Sequence, residues 1–262
     1  MTSLFSAPGG EVPLSLSARA AINSRLRVRA MQAVDEMVAR LVNTLRDIGR
    51  LDNTYIIFTS DNGYHLGQHR LLGGKGHPYE EDIVVPFIIR GPGIAAGQDL
   101  KNYLAGNIDI APTFAELAGV IPPAFIDGRS LVPLWSPQRP SEADWRQGYL
   151  IEYYGAGDAS GSITHLVGLG TPDDLLEPLD PEELSQAGPP AQFLALRTLQ
   201  YMYAEYDDGT RELYDLSRDP YELENMASTA DSALVSRLSA WLKSLETCSA
   251  AACRGADGKP VP

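Results

Sequence analysis

The sequence predicts an α/β fold, in which part of a mainly parallel sheet flanked by helices precedes a small α+β subdomain with an antiparallel sheet. One observation is a long helical pattern that leads directly into residues 55–58, a short apolar, β-rich run typical of a strand buried on both faces of a parallel sheet. Another is a pair of β-rich runs around Asp208-Gly209, which predicts a hairpin and is followed by an amphipathic helix.

The helical pattern is expected to begin at Ser17 and to end at Gly49, a residue suited to the left-handed backbone of a helix terminus. Its apolar residues recur at alternating spacings of three and four, and they therefore form one stripe. The stripe consists of Met31, Val34, Val38, Leu41, Leu45 and Ile48. Packing against a core explains this stripe, so the pattern alone predicts no functional role for the helix. Residues 1–16 are rich in Ser, Pro and Gly and predict an irregular lead-in.

A proline-rich loop over residues 133–145 divides the chain into two predicted parts. The first, residues 1–140, holds the mainly parallel sheet, and the second, residues 141–262, holds the antiparallel sheet and the C-terminal helix. Within the second part, residues 155–190 are rich in Gly, Pro and acidic residues. This excursion is either a substrate-selecting loop or a solvated insertion.

The charge balance limits the classes of partner. The chain carries 34 acidic against 21 basic residues, a formal charge of −13. Nucleic-acid and anionic-membrane surfaces need clustered Lys and Arg, so this balance argues against both. The lack of any run of about 18 apolar residues argues against a membrane span. The amino terminus has neither the basic start nor the long apolar core of a signal peptide, and the sequence leaves the compartment open.

Cys248 and Cys253 are the two cysteines of the chain, with four residues between them. Such a pair closes a small disulfide loop, which would imply an oxidising compartment, or remains as two thiols. A metal site is disfavoured because no His or further Cys lies close by in the sequence. Both the disulfide and the free thiols stay open at this point.

Residues 59–63, Thr-Ser-Asp-Asn-Gly, follow the buried strand and hold the candidate site. Ligands of open α/β sheets bind beyond the carboxyl ends of the strands, so Asp61 and Asn62 are well placed for a ligand. A carboxylate next to an amide suits a hard divalent cation, calcium or magnesium, better than zinc. Asp-Asn-Gly is also an ordinary turn sequence, so the tripeptide alone fits either interpretation.

Four motifs follow one another along the chain: the T-S-D-N-G turn, L-G-x-H at residues 66–69, Lys75 followed by Tyr79-Glu80, and V-P-x-I-x-R-G-P-G at residues 85–93. With these motifs in this order the chain resembles the sulfatase family of the alkaline-phosphatase superfamily. This concatenation is highly specific, because each motif alone is short but all four occur in the family's order.

The resemblance continues through most of the second half of the chain. Asp109 begins a D-x-x-P-T-x-x-x-x-A-G segment, in which we interpret Asp109 as a helix cap, and D-G-x-S-L follows at residues 127–131. Residues 212–225 match E-L-Y-D-L-x-x-D-P-x-E-x-x-N, which the family carries after the hairpin of its carboxyl-terminal subdomain. The chain is therefore similar to the carboxyl-terminal half of a sulfatase.

The resemblance implies a hydrolase of sulfate esters, either aryl or carbohydrate sulfates. It implies that Asp61 and Asn62 bind a divalent cation, with calcium favoured over magnesium, and that a catalytic Lys75 contacts the sulfate. An anionic substrate fits the acidic chain only if the cation and Lys75 make the pocket locally positive. Family members also use a formylglycine made from a C/S-x-P-x-R motif, and no Cys or Ser of this chain begins that motif.

The missing motif leads to three hypotheses. The first is a sulfatase that is inactive as an isolated chain and needs an N-terminal sulfatase half. The second is a non-catalytic structural or interaction protein. The third is a phosphate or phosphonate ester hydrolase of the same superfamily, because those enzymes share the metal and lysine residues.

His65 and His77 are the candidate substrate-binding histidines. Within the resemblance His65 either lines the substrate pocket or is a hydrogen-bonded structural histidine. His65 and His69 have a spacing that suits a metal pair on a helix, but Gly67 between them disfavours a regular helix. His77 lies two residues after Lys75 and is close enough in sequence to reach the same pocket.

Overall fold

The computed structural model describes residues 16–71, 74–155 and 191–258, and it confirms the α/β class. The predicted lead-in over residues 1–16 lies outside the described residues except for Leu16. The excursion over residues 155–190 lies outside them except for Gly155. The helices are α1 Leu16–Asp47, α2 Glu80–Ile83, α3 Ile110–Leu117, α4 Val132–Trp135, α5 Ser232–Glu246 and α6 Ala251–Ala256. The strands are β1 Ile56–Thr59, β2 Phe87–Arg90, β3 Gly148–Tyr153, β4 Phe193–Thr198, β5 Tyr201–Tyr206 and β6 Arg211–Asp215.

The chain forms two units, which are described separately. The first unit consists of Met1–Lys75 and Val84–Pro92, and the second of Gly76–Ile83 and Gly93–Pro262. The division predicted from the proline-rich loop, at residues 140 and 141, stays a prediction. Among the helices of the described residues, none has the combined length and apolar content that crossing a membrane requires.

In the first unit β1 and β2 pair antiparallel, with Ile56 opposite Arg90 and Thr59 opposite Phe87. The sequence predicted a mainly parallel sheet, so for the described strands of this unit the predicted direction is wrong. A parallel pair needs a crossover connection, usually a full helix. Between these two strands the longest helix of the described residues is α2, which has only 4 residues.

Helix α1 confirms the predicted long helix. It ends at Asp47, and Gly49 follows two residues later with a left-handed φ of 67°. Its apolar stripe is only half-covered, however. Val34, Val38 and Leu45 are half-buried, whereas Leu41 is 50% and Ile48 62% exposed. The prediction that the stripe packs on a core is therefore only partly met within the described residues.

In the second unit four strands form an antiparallel sheet in the order β3-β4-β5-β6, with α5 packed on one face. The predicted antiparallel sheet and helix are thereby confirmed, and the β-rich residues before Asp208-Gly209 form two strands, β4 and β5. The core between sheet and helix consists of Leu196, Tyr203, Leu213, Leu238, Trp241, Leu242 and Leu245. Gly148 is required here, because a Cβ at this position would lie 2.6 Å from the Trp241 ring.

The sequence predicted that the Asp109 side chain caps α3, but this side chain makes no capping hydrogen bond to the helix. Its carboxylate is fully buried and accepts two hydrogen bonds from Arg146, at 2.6 and 2.9 Å. Arg146 Nε also donates to Asp257 at 2.9 Å, and Arg129 pairs with the same carboxylate. The cap interpretation is wrong because a fully buried carboxylate needs a charged partner, which the local sequence does not show.

The structure contains a disulfide between Cys248 and Cys253, the first of the two alternatives left open by the sequence. The bridge joins the end of α5 to α6, and α6 leads directly to Asp257. The main-chain carbonyl of Asp257 accepts hydrogen bonds from Gln147 N and Gly148 N at 2.7 and 3.0 Å. The short C-terminal helix is thus tied to the first strand of the second unit's sheet.

Candidate functional site

The candidate site begins where β1 ends, at Thr59, and lies within the first unit. The chain then turns, and the Ser60 hydroxyl donates to the main-chain carbonyl of Asn62 at 2.9 Å and contacts Asp61 Oδ1 at 3.3 Å. The side-chain amide of Asn62 donates to Gly63 O at 2.7 Å. These local bonds hold the turn, and the oxygen of the Asn62 amide takes no part in them.

Lys75 reaches this turn from 13 residues further along the chain. Its ammonium donates to Asn62 Oδ1 at 2.7 Å and lies 3.7 Å from Asp61 Oδ2. The structure therefore brings together the three residues that the sequence assigned to metal binding and catalysis. The side chains of Lys75 and Asp61 are 59% and 81% exposed, so the cluster is open to a ligand.

The two segments of the site are joined next to these side chains by a backbone contact. His65 N donates to Gly74 O at 3.0 Å, and the two residues form an isolated antiparallel bridge. Gly74 has a φ of 109°, a left-handed conformation that only glycine adopts readily. The bridge sets the distance between the Asp61-Asn62 turn and Lys75.

The pKa of Asp61 is held below its ordinary value, chiefly because the backbone N–H of Asn62 donates to its carboxylate. A small desolvation effect acts in the opposite direction, and the nearby Lys75 ammonium lowers the pKa further. Asp61 is therefore a carboxylate at neutral pH, which is the form that binds a hard cation.

The donor set fits part of a site for a hard divalent cation. Asp61 and Asn62 offer a carboxylate and an amide oxygen, and the amide oxygen has a second lone pair beside the one that accepts from Lys75. Calcium takes about six to eight oxygen ligands and magnesium about six. Water or further groups must therefore complete the coordination shell.

The histidines fall in different places. His65 is completely buried, and its ring lies edge-on to that of His69 at 6.2 Å. His69 sits in a short 3-10 turn with a left-handed φ of 52°, so the two histidines do not share a helix face. His77 belongs to the second unit, where its ring stacks on Tyr79 at 6.0 Å. Substrate binding by His65 and His77 stays a prediction.

Glu222 is a buried acid in the second unit to which the sequence assigned no special role. It is 1% exposed, and its Oε2 accepts the backbone N–H of Glu80 at 2.8 Å. Glu80 in turn makes a double ion pair with Arg197, at 2.6 and 3.1 Å. Burial raises the pKa of Glu222 to about 8, and the charges of Glu80 and Glu81 act in the same direction.

The raised pKa of Glu222 predicts a loss of stability with rising pH. The folded chain holds this proton up to about pH 8, whereas the unfolded carboxyl releases it near pH 4.5. The contribution of Glu222 to the free energy of unfolding is complete below pH 4.5 and is lost as the pH rises to about 8. Since one pKa unit is worth about 1.4 kcal/mol, we expect a loss of a few kcal/mol from this group.

Glu222→Gln removes the titrating proton and keeps an oxygen for the N–H of Glu80. We expect the unfolding free energy of this variant to vary less between pH 5 and 8 than that of the wild type, measured by urea denaturation. Glu224→Gln, at an exposed position nearby in sequence, is the matched control and should follow the wild type. Parallel pH profiles for wild type and Glu222→Gln would show that Glu222 is ionised in the folded chain.

Comparisons with known proteins identify the family of the chain. A sequence model of the Sulfatase family matches residues 17–120. The chain is 37% identical over 238 residues to N-acetylglucosamine-6-sulfatase of Homo sapiens, covering 88% of this chain and 42% of the relative. The structure of BT4656 in complex with its substrate D-glucosamine-2-N,6-O-disulfate superposes with a TM-score of 0.65 at 31% identity, over 81% of this chain and 38% of that one.

A phosphonate monoester hydrolase of Agrobacterium radiobacter is similar to nearly the same degree. Its structure superposes with a TM-score of 0.64 at 30% identity, over 81% of this chain and 39% of that one. The fold and these similarities thus define a protein of the alkaline-phosphatase-like superfamily. Within that superfamily the chain belongs to the sulfatase family, whose members generally use a divalent metal. It spans about two fifths of the length of these relatives.

Proposed function

We propose that the chain is part of a hydrolase of sulfate esters, to which it contributes two metal ligands and the lysine that contacts the sulfate. The observation that carries this proposal is the cluster of Asp61, Asn62 and Lys75, with the Lys75 ammonium 2.7 Å from the Asn62 amide oxygen. The same three residues occupy the family's motif positions in the sequence.

The chemistry assigned to each residue follows from its charge. Asp61 and Asn62 would hold the cation, which when bound neutralises negative charge on the sulfate oxygens. Lys75 would donate hydrogen bonds to a sulfate oxygen and to the oxygen of the departing alcohol, where negative charge develops. Asn62 orients Lys75 in the structure, since its amide oxygen accepts from the ammonium. These positive charges also draw an anionic ester to a chain whose net charge is −13.

We further propose a carbohydrate sulfate as the substrate. The human relative is an N-acetylglucosamine-6-sulfatase, and BT4656 binds a glucosamine carrying a 6-O-sulfate. Both relatives are at least 31% identical to this chain. An aryl sulfate is the other class that the family resemblance implies, and it serves as a convenient assay substrate.

Two features favour a sulfatase N-terminal half as the partner of this chain. No Cys or Ser in the sequence begins the C/S-x-P-x-R motif, so the formylglycine nucleophile must come from other residues. The apolar stripe of α1 is partly open, with Met31 49% and Ile48 62% exposed. Apolar surface of this kind is typical of a face that another protein segment covers.

The purified chain is expected to release no detectable 4-nitrophenol from 4-nitrophenyl sulfate, because it has no residue to form the nucleophile. The measurement is absorbance of the product over several hours with calcium or magnesium present, and with a sulfatase as positive control. Turnover that tracks the purified chain would rule out both the inactive-chain proposal and the non-catalytic structural alternative.

A phosphonate or phosphate ester hydrolase is the second candidate function, favoured by the similarity to the Agrobacterium radiobacter enzyme. The metal ligands and Lys75 would serve either reaction, since both involve developing negative charge on oxygen. Rates on matched 4-nitrophenyl sulfate and phenylphosphonate esters, measured on an active protein that contains this chain, separate the two. A higher rate on the phosphonate would favour the second candidate.

A further inference from the structure

Arg27 on α1 contacts the loop that carries the candidate site. Its guanidinium carbon lies 4.1 Å from the centroid of the Tyr64 ring, a distance at which a cation and an aromatic face attract each other. Tyr64 lies two residues after Asn62, between Gly63 and His65. Neither Arg27 nor Tyr64 has a role in the proposed chemistry.

Helix α1 approaches the same loop at a second position. Gly67 has a φ of 105°, and a Cβ at this residue would lie 3.4 Å from the Cβ of Ala20. Ala20 and Arg27 are seven residues apart, which is about two helical turns, so they lie on the same face of α1. One face of the helix therefore runs along the loop from Tyr64 to Gly67.

The loop is thus held on two sides immediately after the metal ligands. On one side Tyr64 packs under Arg27, and on the other the N–H of His65 donates to Gly74 O at 3.0 Å. Gly74 directly precedes Lys75. A shift of Tyr64 would therefore move the backbone that sets the separation between Asn62 and Lys75.

We propose that Arg27 is a positioning residue for the candidate site and acts through Tyr64. The flat guanidinium covers the aromatic face and restricts the ring, and the ring fixes the turn that holds Asp61 and Asn62. Its effect on metal binding rests on the proposed function, whereas its effect on the loop does not. Because the contact is exposed, its removal is expected to change the loop equilibrium about two- to fivefold.

The test compares variants that remove the stacked pair with variants that keep it. Arg27→Gln and Tyr64→Leu remove the cation or the ring, whereas Tyr64→Phe retains the ring and Arg29→Gln alters another exposed arginine of α1. Two quantities are measured on the full chain: hydrogen exchange of the His65 amide, and Ca²⁺ affinity by titration calorimetry. The exchange of amides in β1 and β2, which belong to the same unit as His65, reports the stability of that unit and serves as the internal reference.

Arg27→Gln and Tyr64→Leu are expected to speed exchange at His65 and to weaken Ca²⁺ binding, each by about two- to fivefold. Tyr64→Phe and Arg29→Gln should match the wild type in both measurements. Unchanged exchange at His65 in Arg27→Gln would overturn the proposal. So would equal changes at His65 and throughout β1 and β2, because they would show a general loss of stability in the first unit.

The two measurements also separate this inference from the proposed function. If the wild-type chain takes up no Ca²⁺ but His65 exchange responds as expected, the positioning of the loop is supported and the metal proposal fails. If Ca²⁺ binds to wild type and to Arg27→Gln with equal affinity, the metal proposal stands and the positioning role of Arg27 is overturned.

Discussion

Arg146→Met is expected to lower the free energy of unfolding by about 3–5 kcal/mol, the cost of leaving a buried charge without its partner. The Arg146 side chain is 2% exposed and Asp109 is fully buried, and two hydrogen bonds join them. Burial acts to lower the pKa of Arg146, but the hydrogen bonds to Asp109 and Asp257 hold it above the ordinary value. The variant would leave the buried Asp109 carboxylate with the backbone N–H groups of Gly106 and Arg129 but without its charged partner.

Chemical denaturation of the purified chain measures this effect. Arg218→Met is the matched control, since the Arg218 side chain is 86% exposed and lies 3.8 Å from the carboxylate of Asp215. An exposed pair of this kind contributes about 0–1 kcal/mol. Combining Arg146→Met with Asp109→Asn should cost less than the sum of the single changes, because both belong to one network. A loss below about 1 kcal/mol for Arg146→Met would contradict the structure of this network.

Lys75→Ala is expected to lower the rate of sulfate release by about 10²–10³-fold in an active protein that contains this chain. The structure places the Lys75 ammonium at the Asp61-Asn62 turn, 2.7 Å from Asn62 Oδ1 and 3.7 Å from Asp61 Oδ2. A fusion of this chain to the upstream part of human N-acetylglucosamine-6-sulfatase, which shares 37% identity with it, is a suitable protein. Activity of the unmodified fusion is the precondition of the comparison.

Lys101→Ala controls for the loss of a lysine, because the Lys101 side chain is 82% exposed and pairs only with Asp99 among the ion pairs of the described residues. The kcat is expected to fall in Lys75→Ala and to stay unchanged in Lys101→Ala. Lys75→Arg keeps the positive charge and should recover part of the rate. Equal rates for Lys75→Ala and the unmodified fusion would remove Lys75 from the reaction.

The sequence was sufficient to predict the elements whose signal is local. The 3.6-residue period and Gly49 located α1, and the two β-rich runs around Asp208-Gly209 located the hairpin of β5 and β6. The direction of β1 against β2 was not predictable in the same way. An apolar run such as residues 56–58 indicates burial, but the residues that decide strand direction lie elsewhere in the chain.

Contacts between distant residues account for what the sequence missed. Asp109 was mistaken for a helix cap because its partner Arg146 is 37 residues away and nothing local identifies the pair. Glu222 is buried by residues far from it in sequence, and its raised pKa follows from that burial. The cluster of Asp61, Asn62 and Lys75 was predictable because a multi-part motif encodes it, whereas the stacking of Arg27 on Tyr64 has no such signature.

The most direct test of the site is titration calorimetry of Ca²⁺ into the chain and into the double variant Asp61→Ala/Asn62→Ala. Asp52→Ala is the control, because Asp52 is a fully exposed acid 3.6 Å from Arg90 and outside the site. If Asp61 and Asn62 bind the cation, the wild type and Asp52→Ala take up Ca²⁺ and the double variant does not. Equal uptake by all three proteins would contradict the assignment of Asp61 and Asn62 as metal ligands.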